Sequence, residues 1–150
     1  VEALFIPENG EMASAVNSAL LNNGIDRKNW QILGTSAWDD PRIYAQPVFQ
    51  GGWFPLADKT GYQSFAQRYK AKYGSDPVRI ATLAYDAVFL ANALHGKYGD
   101  QAFADANITS QDGVIGIDGL FRFKADGTSS RALLVMQANK SGPTEIDGAR

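Results

Sequence analysis

The chain has 150 residues, of which 45% are hydrophobic and 20% charged, a composition typical of a globular protein. Its net charge of -2 provides no basic excess to attract nucleic acid or anionic lipid. Cysteine is absent and His95 is the single histidine, so disulfides, thiolate zinc sites and histidine metal clusters are excluded. We therefore predict no metal site, no cofactor site and no nucleic-acid partner.

The first 34 residues predict a strand, a helix and a second strand. The apolar run 1–6 ends at a Pro-Glu-Asn-Gly turn and is typical of a buried strand. Apolar residues spaced three and four apart predict a helix over 11–23, and residues 30–33 predict a second strand that ends at Gly34. Two strands joined by one helix form a βαβ unit, which builds a parallel sheet with a right-handed crossover.

The next segment predicts loops around one interrupted strand. Residues 35–43 are rich in Ser, Asp and Pro, which is typical of a loop. Residues 44–49 predict a third strand, bent or at an edge because Pro47 cannot donate a ladder hydrogen bond. Residues 51–55 predict a second loop.

Two long helices follow. Aromatic residues on one stripe predict a helix over 60–73 that ends at Gly74. An Asp76-Pro77 pair is a suitable start for the next helix, which we place at 78–95. That helix is apolar on almost every side, so we expect it to be buried on more than one face.

The last third of the chain predicts short elements. Residues 100–106 favour a short helix, and Asp-Gly pairs mark turns rather than a calcium site. We expect strands 120–123 and 132–138 to form a hairpin through a turn at Asp126-Gly127. Residues 139–150 are polar and predict a frayed tail.

Polar residues after the first two strands form a candidate ligand site. In parallel α/β sheets, ligands bind outside the carboxyl ends of the strands, so the two loops are expected to lie side by side. An acid, an amide, hydroxyls and an indole are typical of a small-molecule cleft. The alternative is that these are ordinary loop residues, with the indole packed on a neighbour. The candidate ligand-binding residues are Pro7, Glu8, Asn9, Thr35, Ser36 and Trp38.

Catalytic signatures are weak, and we predict no catalytic residue. The sequence around Ser36 lacks the second glycine of a nucleophile elbow, and the only candidate base, His95, lies at a predicted helix end, where it suits a surface or capping role. Asp86 stands inside the most apolar helix, where a carboxylate must be hydrogen-bonded. We expect it to tie its helix to a neighbouring segment, with a ligand contact as the alternative.

The order of several motifs resembles a known family. They are Ile32-Leu33-Gly34-Thr35 with Trp38, Phe65-x3-Tyr69-x3-Tyr73-Gly74-x2-Pro77, Ala84-Tyr85-Asp86-Ala87-Val88 and Gly119-Leu120-Phe121-Arg122-Phe123-x2-Asp126-Gly127. Over residues 1 to about 138 the chain resembles the C-terminal part of a type I periplasmic-binding-protein fold, in the leucine/isoleucine/valine-binding protein family. The Gly52-Trp53-Phe54-Pro55 segment and the Leu133-Leu134-Val135-Met136 ending look closer to the penicillin-binding-protein activator-like lipoprotein branch.

The resemblance implies an α/β fold of two lobes with a ligand held in the cleft between them. Residues 1 to about 50 would form the βαβ core of the second, C-terminal lobe, to which the final hairpin would return. The two long helices would pack with a first lobe that is largely missing here, so residues 1–150 would be the C-terminal portion of a longer protein. The family also implies a periplasmic or outer-surface lipoprotein location.

The same resemblance places ligand contacts in the loops that hold Pro7 to Asn9 and Thr35 to Trp38. Amino-acid binders of the family commonly carry an acid in the second loop to pair with the ligand ammonium. This sequence has Ser36 at the matching position, and a neutral hydroxyl cannot neutralise an ammonium group. Glu8 or Asp39 could replace that acid only if the loops bend accordingly.

Three functions remain open. The first is an ABC-transporter solute-binding component that helps bind a small polar ligand, with an ABC permease as partner. The second is a lipoprotein regulator of peptidoglycan synthesis that contacts a peptidoglycan synthase, favoured by Ser36 and by aromatic residues Trp53 and Phe54 that we expect to be exposed. The third, a Ser36 hydrolase, lacks a base. Apolar helix faces also predict that the chain dimerises.

Overall fold

A computed structural model describes residues 2–25 and 28–148, and the chain divides into two compact units. The first unit comprises residues 1–56 and 133–150, and the second comprises residues 57–132. The expectation that the final hairpin joins the first 50 residues is therefore only partly met. Its first strand lies in the second unit, whereas the last strands return to the first.

The first unit contains the predicted βαβ core. Strand β1 (Glu2–Phe5), helix α1 (Ala13–Asn22) and strand β2 (Trp30–Leu33) follow in order, and β1 pairs with β2 in parallel. The predicted position of Val1 in the first strand lies outside the described residues. Three further strands complete a five-stranded sheet: β3 (Trp53–Leu56), β7 (Leu134–Gln137) and β8 (Thr144–Asp147). The strand order is β1-β2-β3-β7-β8, with two parallel pairings followed by two antiparallel ones. The fold is the predicted α/β class.

The third strand of this sheet differs from the prediction. Residues 44–49 are not a strand: helix α2 (Pro41–Tyr44) and a 3₁₀ turn (Pro47–Phe49) occupy that segment. The Asp40 side chain accepts a hydrogen bond from the Arg42 N–H at 2.8 Å, and a proline at the first helical position favours a helix start. Strand β3 is Trp53–Leu56, in the segment predicted as a loop.

Strand β3 forms because its alternate side chains fill the core. Phe54 and Leu56 are buried, so the expectation that Phe54 is exposed is wrong, whereas Trp53 is 40% exposed. The largest fully buried side chains of this core lie on β2, α2, β3 and the intervening turns, and include Ile32, Trp38, Ile43, Phe49 and Phe54. An alternating pattern with large apolar residues on one face is what a half-buried strand requires.

The last two strands complete the sheet of the first unit. Strand β7 (Leu134–Gln137) pairs antiparallel with β3, and strand β8 (Thr144–Asp147) pairs antiparallel with β7. The predicted frayed tail at 139–150 is therefore wrong for the strand residues, although all four β8 side chains are exposed. Ladder hydrogen bonds can hold a polar edge strand without burying its side chains.

The second unit contains two long helices and a three-stranded sheet. Helix α3 (Thr60–Tyr73) ends as predicted at Gly74, which has a φ of +77°. Helix α4 (Ala81–Tyr98) starts three residues later than predicted. Asp76 pairs with Lys70 at 3.0 Å and does not cap the helix, which has no side-chain cap. A 3₁₀ turn (Gly99–Gln101) and helix α5 (Asp105–Ile108) follow.

The three-stranded sheet corrects the predicted hairpin. Its strands are β4 (Val114–Gly116), β5 (Gly119–Phe123) and β6 (Ser129–Arg131), and β5 pairs antiparallel with both neighbours. The Asp126-Gly127 turn thus closes a tight β5–β6 hairpin, with Gly127 at a φ of +81°. Ala132 continues the pairing with β5, because its N–H donates to the Leu120 carbonyl at 2.9 Å. The β7 residues of the predicted second strand pair with β3 and β8 instead.

Helix α4 is less buried than its sequence predicts. Its buried side chains follow one stripe, Thr82, Asp86, Leu90 and Leu94. On other faces apolar residues are exposed: Val88 is 72% and Ile80, just before the helix, 70% accessible. The prediction of burial on more than one side is therefore wrong for the chain as described.

Candidate functional site

The two loops of the candidate site leave the same edge of the first unit's sheet. Strands β1 and β2 are parallel and in register, with Phe5 opposite Leu33. The ladder continues one step further, because the Ile6 N–H donates to the Leu33 carbonyl at 2.8 Å. Residues 7–9 and 35–36 follow directly, so the structure brings the predicted loops to one edge.

The first loop exposes three candidate side chains. Pro7, Glu8 and Asn9 are all exposed, and Glu8 is the only charged residue among the six candidates. The Asn9 side-chain oxygen accepts a hydrogen bond from the Glu11 N–H at 2.9 Å, which holds the turn before α1. Asn9 can therefore still offer both amide N–H groups and the second lone pair of its oxygen to a bound molecule.

The second loop presents two hydroxyl groups. Thr35 begins a 3₁₀ turn, Ser36–Trp38, and its hydroxyl oxygen accepts a hydrogen bond from the Ala37 N–H at 3.3 Å. Ser36 is exposed, and its hydroxyl can both donate and accept. This loop thus supplies neutral hydrogen-bonding groups to the edge.

Trp38 is placed in the core rather than at the surface. Its side chain is 0% exposed and meets Phe49 edge-to-face, with 5.0 Å between ring centroids. A Cβ on Gly34 would lie 2.1 Å from the indole ring, so the absence of a side chain there makes room for Trp38. Its indole N–H has no hydrogen-bond acceptor among the described residues. Trp38 therefore matches the alternative prediction, in which the indole packs on a neighbouring residue. From this position in the core it supports the second loop.

A pair of charged residues stabilises the same edge and was not singled out by the sequence analysis. Arg42 donates to both carboxylate oxygens of Asp40, at 2.7 to 3.2 Å, and these hydrogen bonds hold the pKa of Asp40 below its ordinary value. A Cβ on Gly10 would lie 2.3 Å from the Asp40 carboxylate, so the first loop packs closely over it. The Asp-Pro sequence at 40–41 is a helix-start signal that could have identified this residue.

Asp39 is also engaged within the loop. It accepts a hydrogen bond from the Tyr44 hydroxyl at 2.9 Å, and burial raises the pKa of Tyr44 to about 12. With Asp39 bound to Tyr44 and Asp40 to Arg42, the exposed carboxylate of Glu8 is the acid of this edge best placed to meet a cationic ligand group.

In the second unit, Asp86 has the internal role expected from its sequence. It is 3% exposed and accepts a hydrogen bond from the Ile117 N–H at 2.8 Å, which ties α4 to the turn between β4 and β5. Its other oxygen lies 4.0 Å from the Arg131 guanidinium. The structural interpretation of Asp86 is therefore confirmed.

A second buried acid, Asp118, was interpreted from the sequence only as a turn residue. Arg79 donates to its two carboxylate oxygens at 2.9 and 2.6 Å, and the Thr82 hydroxyl donates at 2.7 Å. Burial opposes the ionisation of Asp118, but these hydrogen bonds outweigh it and lower its pKa. No local pattern signals this contact, because the partners are 39 and 36 residues away.

Two further observations bear on function. Within residues 2–25 and 28–148, no group of three or more acidic or histidine side chains could hold a metal ion. None of the helices in those same ranges combines the length and the apolar character needed to cross a bilayer.

A comparison with protein-family models finds a match that covers most of the chain. The model of a family described as periplasmic binding protein matches residues 1–143. No curated protein sequence matches the chain.

Solved structures share the fold at low sequence identity. A protein from Rhodospirillum rubrum, assigned to a branched-chain amino acid ABC transporter, has a TM-score of 0.73 and 22% identity over 97% of this chain and 44% of its own. The leucine binding protein LivK of Thermotoga maritima has a TM-score of 0.59 and 17% identity, over 99% and 44%. LpoA of Haemophilus influenzae has a TM-score of 0.59 and 14% identity, over 97% and 26%. The chain thus spans less than half the length of each of these proteins.

Proposed function

The chain belongs to the periplasmic binding protein family, and from that premise we propose that it is the C-terminal portion of an extracytoplasmic solute-binding protein, the substrate-binding component of an ABC transporter. Its role is to hold a small polar ligand, an amino acid or a related molecule. The observation that supports this most directly is the parallel pairing of β1 and β2, which brings two polar loops to one edge of the sheet.

The proposed ligand contacts are five of the six sequence candidates. Pro7, Glu8, Asn9, Thr35 and Ser36 are at this edge, whereas Trp38 acts from the core by supporting the second loop. The loop groups can donate and accept hydrogen bonds, and Glu8 can pair with a cationic group. A polar ligand whose ammonium is met by Glu8, or a neutral amide, therefore fits the available chemistry better than an anion.

Isothermal titration calorimetry of the purified protein against a panel of amino acids and their amides tests the proposal. We expect saturable heat for at least one ligand. Glu8→Gln should weaken binding of a cationic ligand, and Ser36→Ala should weaken binding of either class. Arg122→Gln, at an exposed position of β5 in the second unit, is the matched control and should leave the affinity unchanged. The absence of heat for the whole panel would contradict the transport function.

A second candidate is a regulatory lipoprotein of peptidoglycan synthesis that uses the same fold to bind a peptidoglycan synthase. Two features favour it: Ser36 replaces the acid expected for an amino-acid binder, and Trp53 exposes part of its ring on β3. The similarity to LpoA concerns the fold. A pull-down with peptidoglycan synthases should recover the protein, and Trp53→Ala should reduce that recovery if the exposed indole is part of the contact.

Location and assembly belong to the same proposal. We propose a periplasmic or outer-surface lipoprotein location, of which the family supports the periplasmic part. The proposed partner is an ABC permease or, for the second function, the synthase. We assign no reaction to Ser36, since the family and the compared proteins are binding proteins. Unchanged background esterase activity in Ser36→Ala would support that assignment. We also propose that the chain dimerises through the exposed apolar residues of α4.

A further inference from the structure

An aromatic groove lies between α3 and α4, within the second unit. Its volume is about 370 Å³, which is within the range of small-molecule sites. We call it the aromatic groove and define it by Phe65, Tyr69, Tyr73 and Tyr85, with Arg68 and Lys72 beside them.

The rings of the groove form a continuous ladder. Phe65, Tyr69 and Tyr73 recur every four residues on α3. The ring centroids are 6.0 Å apart for Phe65 and Tyr69, and 4.6 Å apart for Tyr69 and Tyr73. Tyr85 of α4 meets Phe65 edge-to-face at 5.3 Å. Phe65 is buried and forms the floor, whereas Tyr73 and Tyr85 are exposed and form the walls. Such an arrangement presents ring faces and edges to an incoming ring.

The groove is open because α4 contributes small residues to it. Ala81 and Ala84 line the groove from the same helix as Tyr85, and Ala84 is exposed. A larger side chain at either position would occupy the space next to Tyr85. The volume therefore depends on these two alanines as well as on the rings.

Positive charge borders the rings. The Arg68 guanidinium lies 5.8 Å from the Tyr85 ring centroid, and the Lys72 ammonium lies 5.4 Å from that of Tyr73. The groove lining contains both of these cations and no Asp or Glu. A planar guanidinium beside an aromatic face keeps outer N–H groups available for a carboxylate.

From this combination we propose that the aromatic groove binds a small aromatic carboxylate, with the ring between Tyr69, Tyr73 and Tyr85 and the carboxylate paired with Arg68 and Lys72. The ring is recognised by aromatic packing, and the charge by the two cations that border it. A cationic ligand is disfavoured because the groove has no acid to receive it. This inference does not rest on the proposed function, since it concerns other residues in the other unit.

Phenylacetate is the probe, because it carries one ring and one carboxylate. In ¹H–¹⁵N NMR titrations of the whole chain, we expect saturable shifts in the millimolar range centred on α3 and the first two turns of α4. Benzyl alcohol has the same ring without the charge and should bind more weakly, and benzylamine should bind more weakly still. Cyclohexylacetate keeps the charge without the aromatic ring and should also bind more weakly.

Variants separate the two contributions. Arg68→Gln combined with Lys72→Gln should weaken the affinity for phenylacetate by about fivefold, as expected for partly exposed ion pairs. The affinity for benzyl alcohol should not change. Ala84→Leu should fill the groove and weaken both ligands. Lys70→Gln is the matched control, since Lys70 is a cation of α3 that pairs with Asp76 at 3.0 Å and does not line the groove. It should leave both affinities unchanged.

Several results would overturn the proposal. They are the absence of saturable shifts, equal binding of phenylacetate and benzylamine, and shifts that persist in Ala84→Leu. If Ala84→Leu does not fold, Tyr73→Ala, at a 60% exposed position, provides the same test. Markedly tighter binding of a dipeptide ending in phenylalanine would instead assign the groove to a peptide and would also overturn the small-molecule proposal.

Discussion

Arg79 and Asp118 form a two-pronged ion pair that joins the start of α4 to the turn before β5, at 2.9 and 2.6 Å. The Asp118 side chain is 7% exposed and that of Arg79 is 45% exposed. Thr82 adds a third hydrogen bond to the same carboxylate. A buried carboxylate that loses its donors retains an unpaired charge, so this contact should contribute measurably to the stability of the second unit.

We predict that Arg79→Met lowers the free energy of unfolding of the second unit by about 1–3 kcal/mol, less than for a fully buried pair because Arg79 is half exposed. Urea denaturation followed by hydrogen exchange of second-unit amides would measure it. Arg122→Met is the matched control, because Arg122 is an exposed arginine of β5. An equal loss in both variants would contradict a specific role for the Arg79–Asp118 pair.

The pKa of Asp118 predicts a pH dependence. The folded state lowers this pKa, so the folded state binds its proton less readily than the unfolded state. The resulting stabilisation is complete above the unfolded pKa of about 3.9 and is lost as the pH falls through the lower folded value.

Urea midpoints between about pH 6 and pH 3 test this dependence, since Asp118→Asn removes the titrating group. The variant should be less stable than the parent at pH 6 and should lose less stability below pH 4. Asp126 also has a lowered pKa, through hydrogen bonds from Thr128, and lies on an exposed turn. Asp126→Asn is the exposed comparison, and it should change the pH dependence less than Asp118→Asn, because solvent screens the contacts of an exposed carboxylate. Parallel pH curves for Asp118→Asn and the parent would contradict the prediction.

Sequence patterns correctly predicted those helices and strands whose formation depends on neighbouring residues in the chain. The βαβ core and the Gly74 helix end follow from periodicity and from a glycine with positive φ. The Asp40-Pro41 helix start carried a local signal as well, but the β-favouring residues after it suggested a strand. Tertiary packing decided that segment, because Ile43, Val48 and Phe49 are buried in the core.

The position of the two candidate loops was predictable from the sequence, but the surroundings of their side chains were not. The order of parallel strands is sufficient to place residues 7–9 and 35–36 at one edge. The burial of Trp38 depends on the absence of a side chain at both Gly34 and Gly52, because a Cβ at either position would meet the indole ring. The two glycines come from different segments, so no local sequence pattern shows that both lie beside Trp38. For the same reason the sequence could not show that Asp118 pairs with Arg79.

The contact between Gly34 and Trp38 leads to a prediction about the second loop. Gly34→Ala would place its Cβ 2.1 Å from the indole, which forces the ring or the strand end to move. We expect the free energy of unfolding to fall by about 1–3 kcal/mol, as is typical of overpacking in a core, and ligand binding at Ser36 to weaken. Urea denaturation and calorimetry measure the two effects.

Gly96 provides the control for that substitution. It lies within α4, and a Cβ there would meet nothing within 4 Å. Gly96→Ala should therefore stabilise the helix by about 0.5–1 kcal/mol without affecting the loops of the first unit. If Gly34→Ala were equally neutral, the close packing of Trp38 beneath the second loop would be contradicted.

The exposed side of α4 predicts concentration-dependent self-association. Ile80 and Val88 are at least 70% exposed, and Leu83 and Phe89 are about half exposed, so a large apolar surface faces solvent in the chain as described. Burying such a surface between two copies is favourable by roughly 25 cal/mol per Å² before the entropic cost of association. Sedimentation velocity over a range of protein concentrations should therefore detect a dimer.

Substitution of one exposed residue tests whether this side of α4 forms the dimer contact. Val88→Asp places a charge in the middle of the apolar side and should shift the equilibrium to monomer. Gln67→Asp adds the same charge at an exposed position of α3 and should leave association unchanged. Because Val88 is exposed, its replacement removes little packing within the chain, so a change in association can be separated from unfolding by circular dichroism. A monomer at every concentration would contradict the predicted dimer.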